Sequence, residues 1–217
     1  MSIIITGAII ISIITNYIES RLPLIIRNGI GGANTQSGIE FEKATDLSLF
    51  FQKHHYRLMK FPSLNYSTAQ MKNTYLVYDQ DELIGYLTRK SQYHKLIHDQ
   101  FGVTKDDYVY KQWQPDEAFY NLKTNTMYII EKKYQNTPGS VDEKPYSFPG
   151  KLEMYRAMFA HVDSAKRPHV EFIAVFNSEW FLDESRYAHN YEGMFLFLKN
   201  HRIKCLFDGY ELFDFGL

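Results

Sequence analysis

The residues best suited to chemistry are two acids and a lysine, Asp116, Glu131 and Lys133, because they flank a predicted β-hairpin. Aromatic residues at 117–121 predict a first strand, and the Met-Tyr-Ile-Ile run within 126–134 predicts a second. The four residues between them form a loop of a length that is common in hairpins. The hairpin would therefore bring together charged residues that are distant along the chain.

The register of this hairpin determines which charged residues meet. If Asn121, the last residue of the first strand, pairs with Thr126, the first residue of the second, counting back places Asp116 opposite Glu131. Directly opposed residues of antiparallel strands have Cβ atoms about 4.5–5.5 Å apart. Side chains alternate along a strand, so Glu131 and Lys133 share one face while Lys132 points to the other.

One face of the hairpin would then hold two neighbouring carboxylates and an ammonium group. Carboxylates that close repel each other unless a cation lies between them. Such a pair suits Mg²⁺, which takes one or two protein carboxylates and keeps several waters. The lysine would position or deprotonate a water, or stabilise charge on a phosphate. The alternative interpretation is a solvated strand face with ordinary salt bridges.

The sequence Pro115-Asp116, a hairpin, and then Glu131-Lys132-Lys133 resembles the PD-(D/E)XK nuclease signature. The chain around it resembles a type II restriction endonuclease of that superfamily. A second copy of the (D/E)-x-K pattern occurs at Asp142-Glu143-Lys144. The first copy is preferred because it ends an apolar strand, whereas the second lies among prolines and glycines in a predicted loop.

The resemblance implies an α/β fold with a restriction-endonuclease-like core, a mixed central β-sheet flanked by helices in the order αβββαβ. Asp116 and Glu131 would be metal ligands for Mg²⁺, and Lys133 would be the catalytic lysine. The run at 38–42 resembles the Gly-x-x-Phe-Glu that opens the first helix of the superfamily, which makes Glu42 a candidate support for the metal site. The alternative is that Glu42 is an ordinary acid in the first helical turn.

Five polar or basic residues are candidate DNA contacts. Two belong to a basic stretch at 88–95 that suits phosphate contacts, although a solvated helix surface also explains it. One returns to the active face of the second strand. Two lie in the segment after that strand, which approaches DNA in similar restriction enzymes. These residues are Arg89, Lys90, Gln135, Ser140 and Lys144.

Apolar periodicity predicts the elements that must position these residues. A helix is predicted at 37–54, capped by Ser37 with Glu40 three residues later. The core would span about residues 37–207, with 81–112 as an insertion. The other predicted elements are strands at 73–79 and 83–87, a helix ending at 101, a helix at 151–162, a strand at 169–176, a helix at 191–200 and a strand at 202–207.

The composition is that of one globular domain of 217 residues. The net charge of −1 argues against a non-specific nucleic-acid coat protein but is compatible with a locally basic cleft. The lone Cys205 excludes an intramolecular disulfide and a Cys-rich zinc site, and fits a cytoplasmic location.

The first 22 residues form an apolar, Ile-rich segment. Its unbroken apolar run is shorter than the about 20 residues that a transmembrane helix needs, and it has no basic region typical of a signal peptide. We expect it to pack in the core or in a dimer, as a strand or a helix. A membrane anchor is the alternative.

Together these features predict a Mg²⁺-dependent, sequence-specific endonuclease that hydrolyses phosphodiester bonds of double-stranded DNA. A recognition site with two-fold symmetry would require a homodimer. The resemblance also implies a cognate DNA methyltransferase in the same system. A structure-selective or repair nuclease of the same fold, and a catalytically inactive DNA-binding module, are the alternative functions.

Overall fold

The computed structural model describes residues 32–62, 73–107, 113–137, 140–184 and 187–217. The Ile-rich segment lies outside these residues. Within the described ranges, every helix is too short or too polar to cross a membrane. Residues Asn34–Leu217 form one compact unit.

The centre of this unit is a mixed β-sheet in which spatial order follows chain order. The pairings among the first five strands are antiparallel, whereas the fifth strand pairs with the sixth, and the sixth with the seventh, in parallel. The strands are β1 (Arg57–Lys60), β2 (Tyr75–Asp79), β3 (Glu82–Thr88), β4 (Glu117–Asn121), β5 (Thr126–Lys133), β6 (His169–Phe176) and β7 (Ile203–Phe207).

Helices cover both faces of the sheet, which confirms the α/β class. The described helices are α1 (Gly32–Ala44), α2 (Leu47–Lys53), α3 (Gln92–Phe101), α4 (Phe148–Ala157), α5 (Ser178–Phe181) and α6 (Glu192–Asn200). Short 3₁₀ segments occupy Lys105–Asp107, Ser140–Ser147 and Leu212–Phe215, and a π-helical turn occupies Tyr187–Tyr191.

Two hydrophobic clusters show which helices cover which face. Buried residues of α3, α4 and α6 pack with Met127 and Ile129 of β5. Buried residues of α1 and α2 pack instead with Tyr128 and Ile130. Successive side chains of β5 therefore alternate between an α4 face and an α1–α2 face, as expected for a strand buried on both sides.

The predicted helix at 37–54 is wrong in its details, because two helices occupy the region. The break falls at Asp46, whose side chain accepts hydrogen bonds from the N–H groups of Ser48 (2.8 Å) and Leu49 (3.1 Å) and so caps α2. The first helix begins at Gly32, so Ser37 is a buried residue inside α1 rather than its cap.

The segment predicted as an insertion contains a strand of the sheet. β3 pairs with β2 on one side and with β4 on the other. At Gly85, a Cβ atom would overlap the carbonyl oxygen of Tyr120 and the ring of Phe119. Glycine is therefore needed where β3 approaches the candidate hairpin.

Candidate active site

The β4–β5 hairpin has the predicted register. Its ladder runs from Asn121 opposite Thr126 to Glu117 opposite Ile130. The turn is closed by the Asn121 side chain, whose oxygen accepts the N–H groups of Lys123 (2.8 Å) and Thr124 (3.2 Å). Counting one residue beyond the ladder places Asp116 level with Glu131.

Asp116 has a partner on each carboxylate oxygen. Its Oδ2 accepts the backbone N–H of Lys132 at 2.9 Å, and its Oδ1 lies 2.5 Å from the Nζ of Lys90. Burial opposes ionisation, but the charge of Lys133 and the hydrogen bonds from Lys132 and Lys90 outweigh burial and lower the pKa of Asp116. Asp116 is therefore a carboxylate at neutral pH.

Glu131 is buried between two lysines. Its Oε2 lies 3.1 Å from Lys133 Nζ, and its Oε1 lies 3.1 Å from Lys151 Nζ. The ring of Phe148 lies within 5.6 Å of both ammonium groups, and the ring of Trp113 lies 5.2 Å from Lys151. Each lysine side chain is only 15% exposed, so the pair holds Glu131 in one orientation.

Five charged residues around Asp116 and Glu131 form a group that we call the carboxylate–lysine site. It carries two acids and three ammonium groups, so its formal charge is one positive unit at neutral pH. A site of this charge suits an anionic ligand, although the whole chain has a net charge of −1. The members are Lys90, Asp116, Glu131, Lys133 and Lys151.

A second charged group lies on the α1–α2 face, and we call it the buried ion network. Glu117 lies 2.6 Å from Lys132 Nζ and 3.3 Å from Arg89 Nη2, and Arg89 in turn lies 2.7 Å from Asp46. Both oxygens of Glu117 also accept the N–H of Leu47 at 3.2 Å. The network connects β3, β4 and β5 to the first turn of α2.

Burial dominates the electrostatics of this network. The Glu117 side chain is 3% exposed and that of Lys132 is 5% exposed. Burial raises the pKa of Glu117, whereas Lys132 and Arg89 act in the opposite direction. For Asp46, burial is outweighed by hydrogen bonds from Ser48 and Arg89, and the pKa is lowered.

The two groups are built from neighbouring residues. Asp116 and Lys133 belong to the carboxylate–lysine site. Their neighbours Glu117 and Lys132 belong to the buried ion network. Strand alternation produces this division. Because the network anchors the adjacent backbone, it fixes the positions from which the site residues project.

In the described ranges, Glu42 does not form a three-acid metal cluster with Asp116 and Glu131. It is an exposed residue of α1, and its carbonyl oxygen accepts a hydrogen bond from Lys132 Nζ at 3.4 Å. It lines a cavity of about 270 Å³ together with Lys133, Tyr134 and Lys144. The cavity therefore adjoins the carboxylate–lysine site through Lys133. Since α1 begins ten residues earlier, Glu42 is not in a first helical turn.

The candidate DNA contacts have different environments. Arg89 is committed to the buried ion network, and Lys90 pairs with Asp116. Gln135 is buried, and its backbone N–H and C=O both bond the side chain of Asn177 at 2.9 Å, which joins the ends of β5 and β6. Ser140 begins the 3₁₀ segment on which Lys144 is exposed.

Sequence reasoning missed Lys151 and the buried ion network. Lys151 was expected to open a helix, but α4 begins three residues earlier, at Phe148. The predicted order of strand, helix and strand was a usable signal, because it is the order of a parallel β–α–β unit. β5, α4 and β6 form such a unit. In such a unit the first turn of the helix lies near the end of the first strand, which is where Glu131 stands.

The donor set for a metal ion is limited. Across the described ranges, no three side chains of His, Cys, Asp or Glu converge as a metal cluster. Asp116 and Glu131 remain as the acidic pair flanking the hairpin. Mg²⁺ usually takes one or two carboxylates from a protein and keeps waters in its other positions, so these two acids are the residues that could hold it.

No known protein family, curated protein or solved structure matches this chain. Inference of its function therefore depends on the geometry of the carboxylate–lysine site.

Proposed function

We propose that this protein is a Mg²⁺-dependent, sequence-specific endonuclease of double-stranded DNA, of the type II restriction enzyme kind. The observation that carries the proposal is the meeting of Asp116 and Glu131 at one end of the β4–β5 hairpin, with Lys133 donating to Glu131. This is the arrangement that the PD-(D/E)XK signature requires.

The topology supports the same assignment. A helix (α2), three antiparallel strands (β3, β4 and β5), a helix (α4) and a parallel strand (β6) follow the αβββαβ order of the restriction-endonuclease-like core. In this interpretation α3 is an addition between β3 and β4, and β1, β2 and β7 extend the sheet at its edges.

Each site residue has a role in phosphodiester hydrolysis. Asp116 and Glu131 would hold Mg²⁺; when bound, the ion lowers the pKa of a bound water and offsets charge on the phosphate. Lys133 donates to Glu131 and to the carbonyl oxygen of Lys132, 3.0 Å away, and the third N–H of its ammonium group would donate to a water or a phosphate oxygen. Lys151 keeps the second oxygen of Glu131 in place.

The surroundings are suited to a nucleic-acid backbone. The site has an excess of positive charge, and Lys144 adds an exposed ammonium group on the adjoining cavity. Cutting both strands of a site with two-fold symmetry calls for a homodimer, each subunit cutting one strand. A cognate methyltransferase that protects host DNA in the cytoplasm completes the proposed system.

The test compares the wild type with Glu131→Gln on unmethylated plasmid or phage DNA, with Mg²⁺ or with chelator. Glu82→Gln is the matched control, because it makes the same change in an exposed pair with Lys123. We expect discrete fragments from the wild type and the control, in Mg²⁺ only, and none from Glu131→Gln. Thermal unfolding of all three proteins shows whether the variant is folded.

Other results would revise the proposal. Unspecific degradation that still requires Glu131 would indicate a repair-type nuclease. DNA binding without cleavage in any divalent metal would indicate an inactive binding module and overturn the enzyme assignment.

A further inference from the structure

The two oxygens of Asp116 differ in how they are held. Oδ2 accepts a backbone N–H from Lys132, which belongs to the β5 strand and stays in place as long as the hairpin is folded. Among the described residues, Oδ1 accepts from the flexible side chain of Lys90, at 2.5 Å. Any cation that binds Asp116 through Oδ1 must therefore compete with the Lys90 ammonium group.

Lys90 is the most exposed lysine of the carboxylate–lysine site. Its side chain is 52% exposed, compared with 15% for Lys133 and Lys151, and these two lysines lie against aromatic rings. The side chain of Lys90 can therefore leave its partner at low cost, whereas the other two lysines are held.

The backbone of Lys90 is fixed even though its side chain is exposed. Its N–H donates to the carbonyl oxygen of Pro115 at 3.0 Å, and its own carbonyl accepts the N–H of Tyr93 at 3.1 Å. Lys90 has a positive φ of 50°, the left-handed conformation of a tight turn. The turn therefore keeps Lys90 beside Asp116 while only the side chain swings.

Asp116, Glu42 and Glu131 all act on Lys90 from neighbouring elements. Burial opposes its charge, but these carboxylates outweigh burial and raise the pKa of Lys90.

We propose that Lys90 is a resident counter-ion of Asp116, which a divalent cation displaces and which then pairs with a phosphate of the bound DNA. This inference rests on the proposed function. The exchange leaves Asp116 with a metal partner and frees an ammonium group at the edge of the site. Binding of metal and binding of DNA would therefore favour each other, and linkage requires the effect to be reciprocal.

The experiment measures Mg²⁺ binding by calorimetry in the absence of DNA. Lys90→Met removes the charge and keeps the length of the side chain, Lys90→Arg keeps the charge, and Asp116→Asn removes the ligand. Lys123→Met is the matched control, because Lys123 is 48% exposed and pairs with Glu82 on the surface. Unfolding curves establish that each variant is folded.

We expect Lys90→Met to bind Mg²⁺ up to about five-fold more tightly than the wild type, the gain that corresponds to losing one exposed ion pair. Lys90→Arg and Lys123→Met should bind like the wild type, and Asp116→Asn should lose binding. The affinity for a DNA duplex should rise less on adding Mg²⁺ in Lys90→Met than in the wild type.

Three results would overturn the inference. They are equal or weaker Mg²⁺ binding by Lys90→Met than by the wild type, no Mg²⁺ binding by the wild type or by Lys90→Met, and unchanged Mg²⁺ binding by Asp116→Asn. Each is separate from the cleavage assay. If the wild type cuts DNA and Lys90→Met binds Mg²⁺ no better, the inference fails and the proposed function stands. If Lys90→Met binds Mg²⁺ more tightly and the wild type never cuts DNA, the displacement of Lys90 by the metal stands and the proposed function fails.

Discussion

The two charged groups at the end of the β4–β5 hairpin use the same residue types for different purposes. The buried ion network has two acids and two cations, so its charges balance, and Glu117 and Lys132 are almost fully buried. The carboxylate–lysine site has one more lysine than it has acids, and its lysines range from partly buried to half-exposed. Balance and burial suit a structural role, whereas excess charge and access suit ligand binding.

This comparison shows that charge alone does not identify a functional residue. Lys132 and Lys133 are identical neighbours, and strand alternation sends them to opposite faces. Replacing each in turn by Met, which has a side chain of similar length without the charge, therefore tests the division directly.

The largest effect is expected for Lys133→Met. We expect the rate of DNA cleavage to fall about 10²–10³-fold, the usual loss when a donor to a developing negative charge is removed. The free energy of unfolding should fall less than in Lys132→Met, because the Lys133 side chain is more exposed than that of Lys132 and Glu131 keeps its ion pair with Lys151. Single-turnover cleavage and urea denaturation measure the two quantities. An unchanged cleavage rate would remove Lys133 from the chemistry.

Lys132→Met should have the opposite signature. Removing one partner of a buried ion pair costs about 3–5 kcal/mol. We expect about 3 kcal/mol here, because Glu117 retains Arg89 and the N–H of Leu47. Urea denaturation measures the loss. The double variant Glu117→Leu/Lys132→Met should regain part of it, since no uncompensated Glu117 charge remains buried. A change below about 1 kcal/mol would contradict the structural role of the network.

The smallest effect concerns the pH dependence of stability without metal. Asp116 has a folded-state pKa below its ordinary value of 3.8, so ionised Asp116 favours the folded state. That contribution is present above pH 3.8 and is lost as the pH falls through the lower folded-state pKa. The stability advantage of the wild type over Asp116→Asn should therefore shrink below pH 3.8. Urea denaturation as a function of pH measures it.

Asp46 also has a lowered pKa, so its ionisation likewise favours the folded state. It is present in both proteins, so its contribution cancels when their stabilities are subtracted. An advantage that stays constant with pH would show that Asp116 gains nothing from its lysine partners.

Local pattern was enough to predict the hairpin, its register and the face shared by Glu131 and Lys133. These features depend on strand propensity, turn length and the two-residue period of a strand. The strand at 169–176 was also predicted, because an uninterrupted apolar run is typical of a strand buried on both faces.

The features that escaped prediction depend on contacts between distant residues. Arg89 is held by Asp46, which is 43 residues away along the chain. The basic run around Arg89 therefore gave no sign that Arg89 is partly buried. The partner of Lys151, Glu131, belongs to a different element. β1 was not predicted because its mostly exposed residues, at the edge of the sheet, show no apolar alternation.

The order of the strands has a consequence for how the protein folds. Each strand pairs with its neighbour along the chain, and the first five pair in antiparallel fashion. The tight turn between β4 and β5 closes a short loop, so this pairing can form early, whereas the parallel pairing of β5 with β6 must wait for the intervening α4. During synthesis, Asp116 and Glu131 would therefore meet before Lys151 leaves the ribosome. The lysine that completes the site arrives last, after its acidic partners are already aligned.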